Sequence, residues 1–247
     1  MIKISNLCKS FGGRPVLYNL DLTIEKGETM AVIGRSGCGK SVLLKHIMGV
    51  IHPDAGSIAV SGEEITTMTP KQINQIRLKM GMLFQGAALF DSLTVWENVG
   101  FALLEHSKKD VDFIRQRGAE CLNLVGLRGI EELYPSALSG GMRKRVGLAR
   151  AICMNPEIIL YDEPTTGLDP IMADGINNLI VDLQRKLSVT AIVVTHDMNS
   201  VYKVASRVAM LYQGRIIEVC TPQEIQRTQN PVVKQFIRGE AQGPISE

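Results

Sequence analysis

Gly34, Arg35, Ser36, Gly37, Cys38, Gly39, Lys40 and Ser41 form the run G-x-x-x-x-G-K-S. Glycines at this spacing let successive backbone N–H groups turn toward phosphate oxygens. The lysine supplies charge for the β- and γ-phosphates, and the serine hydroxyl is a ligand for Mg²⁺. A second group, Asp162 and Glu163, closes the apolar run Ile158, Ile159, Leu160 and Tyr161. Carboxylates at the end of a buried strand lie where α/β sheets bind ligands. Asp162 would support Mg²⁺ and its water shell, and Glu163 would be the general base toward an attacking water. In a third group, Ser139, Gly140 and Gly141 open a helix with no bulky side chain at its start, an anion-binding N-terminus. That third site has no use within its own loop, so it points to a phosphate site completed by a second copy.

Elements of the right kind surround these groups. An apolar run over 29–33 enters the Gly-rich loop, and Leu43, Leu44, Ile47 and Met48 place an apolar face on the helix that follows. Before it, Leu20, Leu22 and Ile24 alternate with polar residues, which predicts antiparallel strands at the N-terminus. Over 86–154 the periodicity turns helical, with a capping box from Thr94 to Glu97 and apolar positions at Val111, Ile114, Leu122 and Val125. Beyond it, strand and helix alternate again, with a helix over 170–187, a strand over 189–195 and a helix over 197–205. Gln213 and Gly214 stand between two strand-like runs as a tight hairpin, and Pro222 and Pro231 start two further helices. The expected fold is α/β, with an N-terminal antiparallel β subdomain, a helical subdomain inserted over 86–154 and a short, mobile tail over 239–247.

Composition narrows the partners. The 247 residues are 45% hydrophobic and 21% charged, and 27 basic against 25 acidic side chains give a net charge of +2. So even a balance gives no support to nucleic-acid binding. No apolar stretch approaches the ~18–20 residues of a membrane-spanning helix, and the first residues lack the apolar core of a signal peptide. The expectation is a cytosolic chain that meets a membrane only through a partner. Cys8, Cys38, Cys121, Cys153 and Cys220 contain no CxxC pair, which favours reduced thiols and no metal site. Cys38 lies inside the loop, either as a thiol activated by backbone N–H groups and Lys40 or as a plain filler of a variable loop position, and the other four read as core residues.

Taken in order, the Gly34–Ser41 loop, the Leu138-Ser139-Gly140-Gly141 signature and the Asp162-Glu163 pair resemble the ATPase domains of ABC transporters, over nearly the whole chain. The resemblance implies a P-loop NTPase with a RecA-like core, and two such domains sandwiching two ATP molecules, with the Ser139 segment of each facing the P-loop of the other. It also implies that Gln85 contacts Mg²⁺ and the attacking water, that His196 holds the γ-phosphate, that Asp169 crosses the dimer interface in the Gly167-Leu168-Asp169 turn, and that Phe11 stacks on adenine. Val42 follows the loop serine where threonine is usual, and Met142 replaces the usual glutamine after the signature glycines. With the stretches 39–46, 84–98 and 142–147, these departures resemble the ATPase subunits of bacterial phospholipid-trafficking systems of the Mla type, built around MCE-domain proteins. That group implies separate transmembrane permease subunits, an MCE-domain lipid-binding protein, small accessory subunits, and a peripheral position on the cytoplasmic face of the inner membrane. The alternatives are the motor of an importer for amino acids or another polar solute, and a non-transport ABC protein of DNA repair or translation.

Overall fold

The structure, a computed structural model, describes residues 1–245; the last two residues of the expected tail lie outside the described residues. In chain order the elements are β1 (Ile2–Phe11), β2 (Arg14–Ile24), β3 (Thr29–Ile33), α1 (Lys40–Ile47), β4 (Ala55–Val60), β5 (Glu63–Glu64), α2 (Pro70–Arg77), β6 (Met80–Leu83), α3 (Val95–His106) and α4 (Val111–Leu124). They continue with α5 (Gly140–Ile152), β7 (Ile158–Asp162), α6 (Pro170–Leu187), β8 (Thr190–Thr195), α7 (Met198–Val204), β9 (Arg207–Tyr212), β10 (Arg215–Cys220), α8 (Pro222–Ile225) and α9 (Pro231–Arg238). The fold is α/β, divided into two compact units: Met1–Ile76 together with the segment from Ile192 onward, and Arg77–Ala191. Among the described residues no helix is long and apolar enough to cross a membrane.

In the first unit the order β2-β1-β4-β5 makes an antiparallel sheet. Ile2 pairs with Ile24 and Ile4 with Leu22, so alternate side chains reach one buried face. A register shift between Ile4 and Leu7, where Asn6 takes φ 49°, changes the phase of β1 and turns Leu7 inward. Cys8, expected in the core, is therefore only half-buried, and its thiol lies 3.2 Å from Asn19 Oδ1. Cys220 is likewise half-buried, at the end of β10, where burial and Glu218 push its thiol up to about 11. Cys121 and Cys153 are buried as expected.

The same unit holds a mixed set of strands. β3 runs parallel to β9, pairing Ala31 with Val208 and Ile33 with Met210, and β9 turns back into β10. Both turn residues, Gln213 and Gly214, have positive φ (47° and 75°), the geometry that matches strand twist in a two-residue hairpin. Ala31, Ile33, Val201, Val208, Met210, Ile225 and Val233 form one buried cluster. Each larger aliphatic side chain among them contributes about 1.5–3 kcal/mol on burial. Beyond α9, Ile245 N donates to Gln235 Oε1 at 2.7 Å, and Gln235 Nε2 donates to Glu240 O at 3.1 Å.

The second unit pairs β6 with β7 in parallel, Gly81 opposite Ile159 and Leu83 opposite Tyr161. Thr94 caps α3 in the expected box, its N–H and hydroxyl donating to Glu97 Oε2 at 2.7 Å. α5 lies so close to β6 that a Cβ on Gly81 would penetrate the carbonyl of Ala151. Both atoms belong to backbone, so neither can step aside. Gly81→Ala is expected to cost about 1–3 kcal/mol, read as a lower midpoint in thermal unfolding. Gly86→Ala, whose Cβ meets nothing within 4 Å, is expected to leave the midpoint unchanged.

Candidate functional site: a phosphate loop, an acid pair and a glycine-led helix

β3 is buried along its whole length and delivers the chain to the loop at Gly34. A side chain at Gly34 would strike the Leu211 carbonyl oxygen and come within 2.7 Å of Cys38 Sγ. Gly37 and Gly39 take φ values of 79° and 108°, open to glycine and strained for other residues. Gly39 is the N-cap of α1, which has no side-chain cap and no acidic residue in its first turn. By contrast α4, α5, α6, α7 and α9 are capped by Asp110, Ser139, Asp169, Asp197 and Asn230. An electropositive helix start without its own oxygen cap fits a phosphate group.

Lys40 is buried, its Nζ donating to Gly34 O at 2.7 Å and Arg35 O at 3.0 Å, so the ammonium spans the mouth of the loop. Arg35, Ser36 and Gly37 are exposed at the tip, Cys38 is half-buried, and Ser41 and Val42 lie half-buried in the first turn of α1. Phe11, also in this unit, ends β1 with its ring 45% exposed and Lys9 Nζ 5.5 Å from the ring centre. His196 is exposed directly after β8, ahead of the Asp197 cap of α7. The first unit thus carries Phe11, the whole P-loop and His196.

The second unit carries the rest. Asp162 ends β7 and Glu163 follows it, both buried. Glu163 has φ 47°, a left-handed conformation that costs a non-glycine residue about 1–3 kcal/mol. Its carbonyl accepts from Thr166 N and from Lys144 Nζ, each at 3.3 Å, and Thr166 Oγ1 donates to Oε2 at 3.3 Å. Gln85 lies just beyond the end of β6 at Leu83, exposed. Its carbonyl accepts from Lys144 Nζ. Next come Ala87 and Ala88, both left-handed, with carbonyls that accept from the Arg150 guanidinium at 2.6 and 2.7 Å.

Ser139 Oγ accepts from Met142 N at 3.2 Å and so caps α5, leaving Gly140 and Gly141 as the first residues of the helix. Asp169 Oδ1 accepts from Ile171 N and Met172 N, both at 3.0 Å, as the cap of α6. Asp169 thus holds its own helix start. Among the described residues no cluster of three His, Cys, Asp or Glu could cage a metal. A Mg²⁺ ion held by one or two protein oxygens plus substrate phosphates needs no such cage, and Ser41, Gln85 and Asp162 are donors of that hard-oxygen type.

Lys144 and Arg150 were not singled out by the sequence patterns. A signal existed, because Lys144 falls in register with Gly141, Leu148 and Ala151 on the buried stripe of α5. A lysine on such a stripe must reach acceptors. Burial pulls its pKa below the usual lysine value, while the charges of Asp162 and Glu163 oppose that shift.

Residues 17–166 match the ABC transporter family, and the chain belongs to that family. It is an ATP-binding, ATP-hydrolysing cassette. A dimeric structure of a post-hydrolysis state of the ATP-binding cassette MJ0796, bound to ADP and Pi, superposes with a TM-score of 0.83 at 32% identity, covering 90% of this chain and 99% of that one. The "intermembrane phospholipid transport system ATP-binding protein MlaF" of Haemophilus influenzae is 40% identical over 245 residues, 99% of this chain and 93% of the relative. The "probable ribonucleotide transport ATP-binding protein mkl" of Mycobacterium tuberculosis is 42% identical over 245 residues, 99% of this chain and 68% of the relative.

Proposed function

We propose that this chain is the ATPase subunit of a complex that energises phospholipid trafficking between the inner and outer membranes of a bacterium. The observation that carries the cargo class is the end-to-end correspondence with the phospholipid-transport relative, 93% of which is matched. The relative named for ribonucleotide transport is matched over 68% of its length. Its name supports the second reading, a motor for a polar solute. In this reading the chain sits peripherally on the cytoplasmic face of the inner membrane, held by separate permease subunits that dock on the helical subdomain over 86–154. An MCE-domain protein and small accessory subunits complete the assembly.

The site residues divide the work of hydrolysis. Lys40 and the backbone of Gly34, Arg35, Ser36, Gly37, Cys38, Gly39, Ser41 and Val42 hold the phosphates, and Phe11 stacks on the adenine. Ser41, Gln85 and Asp162 are the residues that would hold Mg²⁺, which supplies neutralising charge on the β- and γ-phosphate oxygens. Glu163 accepts the proton of the attacking water, and His196 orients the γ-phosphate. Ser139, Gly140, Gly141 and Asp169 of one copy close the nucleotide site of a second copy.

Purification of the tagged full chain from its native membrane tests the cargo. Copurification of a permease with an MCE-domain protein, and ATPase activity raised by phospholipid vesicles, is the expected result. Copurification with a solute-binding protein, and stimulation by ribonucleotides or amino acids instead, overturns the phospholipid reading.

A further inference from the structure

Two segments of the second unit stand in backbone conformations that their sequences do not favour. Glu163 is left-handed, and so are the consecutive residues Ala87 and Ala88 just after Gln85. None has the side chain or the missing Cβ that makes this region easy, so each must be held from outside. The same helix holds both. From α5, Lys144 Nζ donates to the carbonyls of Gln85 and Glu163, and Arg150 donates to those of Ala87 and Ala88.

We infer that Lys144 is a positioning residue for hydrolysis: its ammonium, held on the buried stripe of α5, ties the main chain of Gln85 to that of Glu163. The inference rests on the reading of Glu163 as the general base and Gln85 as a contact to the attacking water. Lys144 is buried, and its two hydrogen-bond acceptors are main-chain oxygens, so it sets where the two backbones lie, while its charge also faces those of Asp162 and Glu163. One ammonium with three donors can serve both carbonyls at once. Because α5 begins at the Ser139 cap, the helix that presents the signature glycines also carries this tie. A shift of α5 is therefore felt at both Gln85 and Glu163. Arg150 extends the hold along the same loop and keeps the left-handed pair from relaxing.

A methionine at 144 fills similar space with no donor, and an arginine restores donors and charge. For the full chain, Lys144→Met is expected to lower kcat for ATP hydrolysis about 10- to 100-fold, the penalty of misplacing reacting groups by about 1 Å. The KM for ATP should stay within about twofold, and Lys144→Arg should recover most of kcat. Unfolding midpoints are measured alongside. Unchanged kcat in Lys144→Met overturns the inference, as does a loss that Lys144→Arg fails to recover or a loss confined to KM or the unfolding midpoint. Should Lys144→Met not fold, Lys144→Gln retains an N–H donor without the charge or the reach, and an undiminished kcat there overturns the inference equally. Glu163→Gln run beside these separates the two claims. If that variant hydrolyses ATP normally, the reading of the base has failed; if it is dead while Lys144→Met is fully active, the positioning role alone has failed.

Discussion

Glu163→Gln is expected to bind ATP as the unaltered chain does, to release phosphate about 10²- to 10⁴-fold more slowly, the contribution of a positioned general base, and to accumulate as an ATP-bound dimer. The structure explains why the change should be so selective. Glutamine has the shape of glutamate, and its amide oxygen can still accept from Thr166 Oγ1, now 3.3 Å from Oε2. Two ties at the left-handed backbone of 163 run to its carbonyl, from Lys144 and Thr166, and the substitution leaves both in place. With Glu163 as the proposed general base, what is lost is the ability to take a proton from water. Single-turnover phosphate release and size-exclusion chromatography with and without ATP read the two halves of the prediction. Normal turnover would remove Glu163 from the role.

Lys40→Ala is expected to weaken ATP binding about 10- to 100-fold, since a hydrogen bond to a charged group contributes about 1.5–3 kcal/mol and each 1.4 kcal/mol is a factor of about ten. Two effects combine. The first is the lost charge proposed for the β- and γ-phosphates. The second is internal: Lys40 Nζ braces Gly34 O and Arg35 O, so its removal also loosens the loop proposed to hold the phosphates. Calorimetric titration with ATP measures the affinity, and an unchanged value would count against the assignment of this loop to phosphate binding. The contrast with Glu163→Gln is diagnostic, because one variant loses affinity and the other loses turnover.

Local chemistry made much of the architecture legible. The turn at Gln213 and Gly214, the capping box at Thr94 and the proline-led starts of α6, α8 and α9 rest on interactions within a few residues, and all appear in the structure. The buried strand before Gly34 and the apolar face after Lys40 are of the same kind. Where a strand departs from regular geometry, residue type alone misplaces a side chain. Cys8 reads as a core residue from its type and apolar neighbours, but the irregularity at Asn6 shifts the phase of β1 and leaves the thiol half-buried.

The P-loop, the acid pair, the signature glycines and the family they mark were determined by the sequence alone, since each depends on residue type at short spacing. The tertiary structure decided how these residues are held. Lys144 stands 59 residues from Gln85 and 19 from Glu163, and no periodicity within α5 can name acceptors so far along the chain. A buried ammonium must nevertheless find oxygen, and only packing α5 against β6 and the end of β7 determines that the oxygens are those of Gln85 and Glu163.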